Sequence, residues 1–328
     1  MGSAMNNYRL TRCALCDQEL GRALFSANDP YLDRADQFNV IECEGCGLVR
    51  TRNLPHQDDL STWYDQHYAR FHSGSSEVAP APPANPSPSL LKKWVLGPLK
   101  KILRIDYPPF VISHISPQGR ILEVGCGTGD ILLALKEKGA EVQGIEPHSD
   151  LAAIARKRGL VIHNSYFEDW DNFSTPFDQI IFSFTLEQIE DPVNALRLSR
   201  KYLTPNGKIT ILCPNLNAIT RFLFRGNWFM WHLPYHKYFF SPKTMTKVLD
   251  HVGLKAVSLK TDLRMDAEME STWITWNRLC GKEVIPFYTR PKKLILLGLA
   301  LLCLPFKWVG MGNMLHVVAT PSGQGQDI

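Results

Sequence analysis

Short apolar runs rich in β-branched residues alternate with amphipathic stretches over the second part of the chain. Seven of these runs predict strands, at 120–125, 141–146, 160–163, 178–184, 207–213, 255–260 and 314–319. Helical patterns lie between them, at 129–138, 150–158, 192–203 and 242–252. Strands separated by helices form parallel sheets with crossover helices, so the pattern predicts an α/β fold with a doubly wound, seven-stranded, Rossmann-like sheet. Ligands of such sheets bind at the carboxyl ends of the strands.

The first part of the chain lacks this alternation and predicts separate units. Residues 8–72 form one predicted unit, and residues 90–328, which hold the predicted sheet, form another. Between them, residues 73–89 (SGSSEVAPAPPANPSPS) contain five prolines and one charged residue. This composition is typical of an extended linker, and it also fits a surface loop of the larger domain. A length of 328 residues agrees with about two domains.

Composition and charge exclude several classes of protein. Hydrophobic residues make up 45% of the chain and charged residues 21%, which excludes disordered, collagen-like and disulfide-scaffold proteins. The 36 basic residues against 32 acidic ones give a net charge of +4, too small an excess to predict a nucleic-acid partner. The opening residues, MGSAMNNYRLTRC, contain no apolar stretch typical of a secretory signal, so we expect a cytoplasmic, reducing environment.

Four of the eight cysteines form two C-x-x-C pairs, Cys13/Cys16 and Cys43/Cys46. In a reducing environment such pairs are more typical of metal ligands than of disulfides. Two pairs supply four thiolates in a tetrahedral arrangement, which predicts a structural Zn²⁺ site with no open position for chemistry. A module of this size could not bury enough core without the metal. A thioredoxin-type redox pair and a nucleic-acid-binding zinc ribbon remain the alternatives.

A glycine-rich loop, ILEVGCGTGD at 121–130, follows the first strand of the predicted sheet and opens its helix. Its alternate glycines let the backbone turn tightly and approach a ligand closely: Gly125, Gly127 and Gly129. The spacing E-x-G-x-G-x-G differs from the G-x-G-x-x-G of nicotinamide-binding loops, because Asp130 stands where the third glycine would be. Two carboxylates accompany the loop, Glu123 upstream and Glu146 at the end of the second strand. The alternative is a structural role, in which the glycines only pack the helix on the sheet.

Together these features resemble the class I S-adenosylmethionine (SAM) methyltransferases. The similarity covers about residues 120–320 and includes FDQIIFSFTLEQIEDP (177–192), LTPNGKITILCPN (203–215) and PYHKYFFSP (234–242). The cysteine pairs, with the run CGLVRT-x-x-LP that starts at Cys46, resemble the zinc-binding segment fused to bacterial methyltransferases of sugar and polysaccharide pathways.

The resemblance implies that the glycine loop holds SAM, that Glu146 accepts both ribose hydroxyls, and that Glu168 or Asp169 lies near the adenine amine. The predicted cofactor-binding residues are Glu123, Gly125, Gly127, Gly129, Glu146, Glu168, Asp169 and Phe184. The charges agree with this assignment, because sulfonium and ammonium groups favour carboxylate neighbours and a carboxylate suits a diol. His148, beside Glu146, is expected to line the same site.

Methyl transfer to a neutral hydroxyl or carbon requires the removal of a proton, and therefore a general base. We expect this base in the segment WFMWHLPYHKYFF at 228–240. His236 is the first candidate, because it stands five residues before Ser241, as a histidine does in related sugar methyltransferases. His232 is the second candidate, and Tyr235 completes the predicted catalytic set; a packed core position is the alternative for each. In carbon-methylating relatives the residue before this histidine is acidic, so Tyr235 disfavours carbon methylation.

One position departs from the family pattern. Many relatives carry Glu-His after the fourth strand of the sheet, where this chain has Glu187-Gln188. The role of that histidine, if it has one, must be supplied elsewhere in the chain or is not needed.

Two stretches combine apolar side chains with basic ones. LLKKWVLGPLKKILR at 90–104 has five cations and no acid, which is typical of a basic interfacial helix. LILLGLALLCLPF at 294–306 is uncharged but shorter than the roughly 20 residues that a membrane-spanning helix needs. Either stretch can lie at the inner membrane surface, which would suit a lipid-linked acceptor, or pack as a helix against the sheet.

The sequence therefore predicts SAM-dependent methyl transfer to a hydroxyl of a sugar or glycan, in polysaccharide biosynthesis. One alternative keeps the reaction but changes the acceptor, to a carbon of a nucleotide-linked sugar or to a small non-sugar metabolite. The other alternative is a non-enzymatic protein, in which the zinc ribbon binds a partner and the SAM fold is a scaffold. The intact glycine loop and Glu146 argue against a scaffold. The oligomeric state is open.

Overall fold

The computed structural model describes residues 12–19, 21–31, 36–55, 60, 63, 109–113, 115–170, 175–282, 284 and 304–322. The predicted linker at 73–89, the basic stretch at 90–104 and most of the apolar stretch at 294–306 lie outside these residues. What was expected of those three segments stays a prediction.

The described residues contain eleven strands and seven α-helices. The strands are β1 (Gly21–Ala27), β2 (Phe38–Cys43), β3 (Val49–Arg52), β4 (Arg120–Val124), β5 (Glu141–Ile145), β6 (Val161–His163), β7 (Phe177–Ser183), β8 (Leu203–Pro214), β9 (Tyr238–Phe239), β10 (Leu254–Asp262) and β11 (Met314–Pro321). The α-helices are α1 (Pro109–Ile112), α2 (Asp130–Lys136), α3 (Ser149–Lys157), α4 (Pro192–Tyr202), α5 (Ile219–Phe224), α6 (Pro242–His251) and α7 (Met265–Leu279). Short 3₁₀ helices lie at Arg225–Asn227, Phe229–Trp231 and Leu304–Val309.

Seven strands form the main sheet, in the order β10-β11-β8-β7-β4-β5-β6. All seven predicted strands and all four predicted helices are present, with bounds that differ by a few residues. The expected α/β, doubly wound, Rossmann-like class is therefore confirmed. One detail differs from the expected parallel sheet, because β11 is antiparallel to both β8 and β10. The chain crosses from β8 to β10 by way of α6, and these two strands are not neighbours in the sheet. β11 lies between them and runs antiparallel to both.

Local signals explain where the helices beside the site begin. Ser241 caps α6: its hydroxyl accepts from the backbone N–H of Thr244, whose side chain accepts from the backbone N–H of Ser241. Pro242 occupies the first turn, where a missing N–H costs nothing. Asp191 caps α4 by accepting from the backbone N–H of Asn194, and Pro192 follows it. These caps fix the ends of the segments that lead into the site.

A second, smaller sheet has the order β1-β2-β3-β9, with all pairs antiparallel. Its first three strands come from the predicted zinc module, whereas β9 comes from the segment 228–240, with Val49 opposite Phe239 and Arg50 opposite Tyr238. The small sheet therefore joins the N-terminal unit to the main domain. The buried residues Leu48, Phe240 and Met245 belong to one continuous core that also includes cysteines of the module.

Candidate active site

The glycine loop between β4 and α2 has the backbone geometry that its sequence predicts. Gly125, Gly127 and Gly129 have φ angles of 70°, 54° and 80°, in the left-handed region that other residues adopt only with strain. A Cβ at Gly125 would lie 2.6 Å from Cγ2 of Thr185, in the loop after β7. A Cβ at Gly127 would meet no atom within 4 Å. The loop is thus closed against β7 and open above Gly127, where a ligand can approach the backbone.

Glu146, directly after β5, holds this loop in place. Its Oε2 accepts from the backbone N–H of Gly127 at 2.8 Å, and its Oε1 accepts from the N–H of His148 at 2.9 Å. The residue is 6% exposed, and burial raises the pKa of its carboxyl above the ordinary value despite these two hydrogen bonds. Each carboxylate oxygen has two lone pairs, so both retain the capacity to accept a further hydrogen bond.

Glu123, at the fourth position of β4, adds a second buried carboxyl. Its Oε2 has no hydrogen-bond partner in the described part of the chain. Burial, followed by the negative charges of Asp130 and Glu146, raises its pKa well above the ordinary value. A cationic ligand would relieve this accumulation of acidic groups, since opposite charge favours the ionised form of a carboxyl.

The remaining predicted cofactor residues lie at the ends of other strands. Glu168 is half-buried after β6, and burial raises its pKa, whereas its neighbour Asp169 is exposed. Phe184 follows β7 with a φ of 56°, and the guanidinium carbon of Arg264 lies 4.6 Å from its ring centre. These residues belong to the same edge of the sheet as the glycine loop, which is where the doubly wound fold places its ligands.

His236 lies next to the loop that follows β7. Its ring is buried, and Nδ1 donates to the carbonyl oxygen of Met230 at 2.9 Å. Its Nε2 then faces Oε1 of Glu187 at 3.8 Å. The backbone N–H groups of Lys237 and Tyr238 both donate to the carbonyl oxygen of Glu187, at 2.7 and 3.1 Å. The structure thus places His236, from the segment 228–240, beside Glu187. In many relatives a histidine follows this glutamate in the sequence, whereas this chain has Gln188 there.

Glu187 is a functional candidate that the sequence analysis did not select. It is 1% exposed, and neither of its carboxylate oxygens has a hydrogen-bond partner among the residues that the structure describes. Burial raises its pKa to about 8. A buried polar group without a partner is costly, so this carboxyl needs a functional explanation. The only sequence signal was its position in the altered Glu-Gln pair.

The other two predicted catalytic residues differ in their surroundings. His232 is half-buried, its ring centre lies 4.9 Å from that of His236, and it lines a cleft with Tyr31 and Trp228. Tyr235 is buried, and its hydroxyl donates to the carbonyl oxygen of Trp63 at 3.0 Å. Of the two, His232 is the better placed to meet an acceptor. Their catalytic roles stay predictions.

The two cysteine pairs come together as predicted. The four Sγ atoms of Cys13, Cys16, Cys43 and Cys46 lie within 4.8 Å of one another. Tetrahedral Zn–S bonds of 2.3 Å would separate the sulfur atoms by about 3.8 Å, so the cluster is of the right size for one zinc ion. Burial raises the pKa of Cys16 and of Cys46, whereas for Cys43 the backbone N–H of Cys46 and the thiol of Cys16 outweigh burial and lower the pKa to about 7. The donor set and its geometry fit structural Zn²⁺.

Hydrogen bonds connect the cysteine cluster to the candidate base. The Lys247 ammonium, on α6, donates to the carbonyl oxygen of Cys46 at 2.8 Å. The Thr51 hydroxyl, in β3, donates to the carbonyl oxygen of His236 at 2.8 Å, and its backbone N–H donates to that of Lys237 at 2.8 Å. The strand that follows the second cysteine pair therefore fixes the backbone of His236 directly.

Comparison with known protein families agrees with this arrangement. A family profile described as "Methyltransferase domain" matches residues 78–259, which is more than half of the chain. The chain belongs to this methyltransferase family. The recognition made from the glycine loop and its carboxylates is thereby confirmed.

Individual relatives of this methyltransferase match over parts of their length. An uncharacterized methyltransferase of Staphylococcus carnosus is 40% identical over 98 residues, covering 29% of this chain and 47% of that protein. A ubiquinone biosynthesis O-methyltransferase of Xylella fastidiosa is 30% identical over 177 residues, covering 48% of this chain and 71% of the relative. The solved structure of a possible histamine N-methyltransferase from Thermotoga maritima is 19% identical, covers 70% of this chain and 97% of that one, and has a TM-score of 0.45. The chain thus spans about half the length of the first of these relatives, as it does of an uncharacterized methyltransferase from Oceanobacillus iheyensis, 49% of which is covered.

The residues of this methyltransferase fit SAM as the bound group. The space above Gly127 admits close backbone approach, and Glu146 offers two fixed acceptor oxygens for a diol. Oε2 of Glu123, which has no hydrogen-bond partner in the part of the chain that the structure describes, is suited to a cationic group. The cofactor prediction is thus supported for SAM, whereas for zinc the support is the cysteine cluster alone.

Proposed function

We propose that this methyltransferase transfers a methyl group from SAM to a hydroxyl of a sugar or glycan. The observation that carries the proposal is the fixed Glu146 carboxylate against the open backbone of Gly127, within a family of methyltransferases. When bound, SAM supplies a methyl group activated by its attachment to a sulfonium. Glu146 orients the ribose, and the carboxyl of Glu123 complements the positive charge of the donor's amino-acid end.

The acceptor proton is removed by a histidine of the segment 228–240. In this proposal His236 holds its ring in one tautomer through the carbonyl oxygen of Met230, which leaves Nε2 as the basic nitrogen. His232 lines the adjoining cleft, and its ring packs edge-on against that of His236. The two histidines together form a path for a proton from the cleft to the interior.

Replacing His236 by alanine tests the base. We expect turnover with saturating SAM to fall by about 10²- to 10⁴-fold, the usual contribution of a general base. Binding of S-adenosylhomocysteine (SAH) should stay within about twofold, because Glu146 and the glycine loop are untouched. His251→Ala, at the exposed end of α6, is the matched control and should turn over normally. Near-wild-type turnover of His236→Ala would contradict the assignment and direct attention to His232.

The acceptor class rests on the zinc-binding segment and on the cleft. Tyr31 and Trp228 line the cleft as buried side chains, whereas Phe229 is partly exposed there and its ring is of the type that stacks on a sugar face. The Xylella relative is named as an O-methyltransferase of ubiquinone biosynthesis, which supports an oxygen acceptor and makes a hydroxylated aromatic the second candidate. Incubation with isotope-labelled SAM and a panel of both acceptor classes decides between them. Label on neither class would leave the small-metabolite and scaffold alternatives.

We also propose that the region around the apolar stretch 294–306 contacts an anionic membrane surface. No helix within the described residues is both long and apolar enough to cross a membrane. Directly after the stretch, however, Trp308 is 77% exposed and Val309 is 69% exposed, beside the basic Lys307. Exposed tryptophan next to cations is typical of segments that lie in the lipid interface.

Co-sedimentation with vesicles checks this surface. We expect binding to vesicles that contain phosphatidylglycerol and little binding to pure phosphatidylcholine, because each nearby cation contributes about 1 kcal/mol with anionic lipid. Trp308→Ala should weaken the binding several-fold, whereas Val257→Ala, on β10, should not. Equal sedimentation with both kinds of vesicle, or none with either, would refute membrane contact.

A further inference from the structure

The strongest unexplained feature of the molecule is the carboxyl of Glu187. Two glutamates in the described residues have a pKa that burial raises to about 8, Glu187 and Glu268. Glu268 is partly satisfied, because its Oε1 accepts from the Thr220 hydroxyl at 2.9 Å and from the side-chain amide of Asn313. Among the residues that the structure describes, none donates a hydrogen bond to either oxygen of Glu187. The two residues are chemically alike, but of the two only Glu187 has no hydrogen bond to either oxygen from the described residues, although Nε2 of His236 lies 3.8 Å from its Oε1.

Glu187 lies beside the glycine loop. Thr185, two residues before it, packs so closely on Gly125 that the loop cannot accept a side chain there. The strands that precede the two loops, β4 and β7, are neighbours in the sheet and pair in parallel register. The carboxyl of Glu187 is therefore at the edge of the sheet where the methyl donor is proposed to bind.

Three ionisable groups face Glu187 from the elements packed against it. His236 contributes its Nε2 at 3.8 Å, and Arg264, which precedes α7, lowers the pKa of Glu187 through its positive charge. Cys213, the residue before the last one of β8, has a thiol whose pKa is raised by burial and by Glu187. None of them forms a hydrogen bond to the carboxyl within the described residues. The site thus holds an acid that is largely neutral near pH 7 until a positive charge arrives.

We propose that Glu187 is the counter-charge of the methyl donor: it gives up its proton when the positively charged donor binds and, with His236, takes one back when that charge is lost. This inference rests on the proposed function and adds to it a coupling between cofactor charge and protonation. Its consequence is a buried site whose net charge stays the same before and after the reaction.

The charges and atoms balance. The acceptor oxygen forms its bond to the methyl carbon as the carbon–sulfur bond breaks, and the electron pair of that bond stays on sulfur. The acceptor hydroxyl loses its proton to Nε2 of His236, and the pair of His236 and Glu187 shares it. The loss of one positive charge on sulfur is thus matched by the gain of one proton on the pair. No oxidant or further reactant is needed.

Calorimetric titration with SAM and with SAH, in buffers of different ionisation enthalpy, measures the coupling without any turnover. SAH lacks the sulfonium charge, so the difference in proton release between the two ligands is the part that this charge causes. With a Glu187 pKa of about 8, we expect SAM to release about one proton more than SAH at pH 7 and almost none above pH 9. As the pH increases towards 8, the ratio of SAM affinity to SAH affinity should accordingly increase about tenfold per pH unit.

Three variants complete the test. Glu187→Gln should abolish the extra proton release and weaken SAM at least about tenfold at pH 9, with SAH affinity unchanged. Glu187→Asp keeps the charge and should restore the release, which also settles the case if Glu187→Gln is unstable. Glu268→Gln, the matched control, should behave as the wild type.

Equal proton release with both ligands, or release that survives in Glu187→Gln, would overturn the inference. Failure of the wild type to bind either ligand would instead overturn the proposed function.

Discussion

Replacing Glu146 by alanine is expected to weaken SAH binding by at least about 100-fold. The ligand would lose its hydrogen bonds to the carboxylate of Glu146, and a hydrogen bond to a charged group contributes about 1.5–3 kcal/mol. The change would also leave the N–H groups of Gly127 and His148 without the acceptor that now fixes the loop. Calorimetric titration of the purified variant measures the loss, and circular dichroism confirms that the sheet remains folded.

Two further variants make the Glu146 result specific. Glu146→Gln keeps the shape of the side chain but presents an amide hydrogen to one of the two N–H groups, so we expect a loss between those of the wild type and the alanine variant. Glu141→Ala removes an exposed carboxylate at the start of the same strand, where it pairs with Arg120, and should leave the affinity unchanged. If Glu146→Ala bound SAH as the wild type does, the glycine loop would not be the cofactor site.

Disruption of the cysteine cluster is expected to abolish turnover but to preserve cofactor binding. Structural zinc contributes about 10–16 kcal/mol of apparent folding free energy in small modules. The module also holds the backbone of His236 through Thr51. We therefore expect the wild type to carry one zinc per chain, and Cys43→Ser to carry none, to melt at a lower temperature and to lose turnover by about 100-fold or more. SAH should still bind, because the hydrogen bonds that hold the glycine loop come from Glu146 and from the backbone of Ile145 and not from the cysteine module.

Elemental analysis, thermal unfolding and labelled-methyl assays check this result in one preparation. Cys280→Ser is the appropriate control, because Cys280 is an exposed free thiol just after α7, away from the cluster. A zinc-free protein that kept its turnover and its melting temperature would show that the four cysteines are incidental.

The main sheet could be predicted strand by strand because each strand carries its own signal. The runs that become β4 and β7 contain Ile-Leu and Ile-Ile-Phe stretches, and glycines bound the first of them. The cofactor loop could be predicted for the same reason, since its glycines and Glu146 lie within one strand-helix-strand unit. Local sequence determines these features, and no distant residue needs to be known.

The features that escaped prediction depend on distant partners. Strand β9 has two residues and pairs only because β3 presents a free edge to it. The reversed direction of β11 depends on the gap left by β10, and no local pattern encodes strand direction. The contact between Glu187 and His236 joins two segments that are separate in sequence, although the missing histidine beside Glu187 had indicated where to look. Tertiary packing decides such pairings.

Strand β9 also sets the order in which the protein can be assembled during synthesis. The edge of β3 that carries Val49 and Arg50 stays unpaired until residues 238–239 have left the ribosome. Until then the nascent N-terminal part exposes a strand edge that invites pairing with other chains. Contacts between such distant residues also slow folding, because a long loop must close first. A truncated chain that ends before residue 238 is therefore expected to aggregate, even with zinc bound.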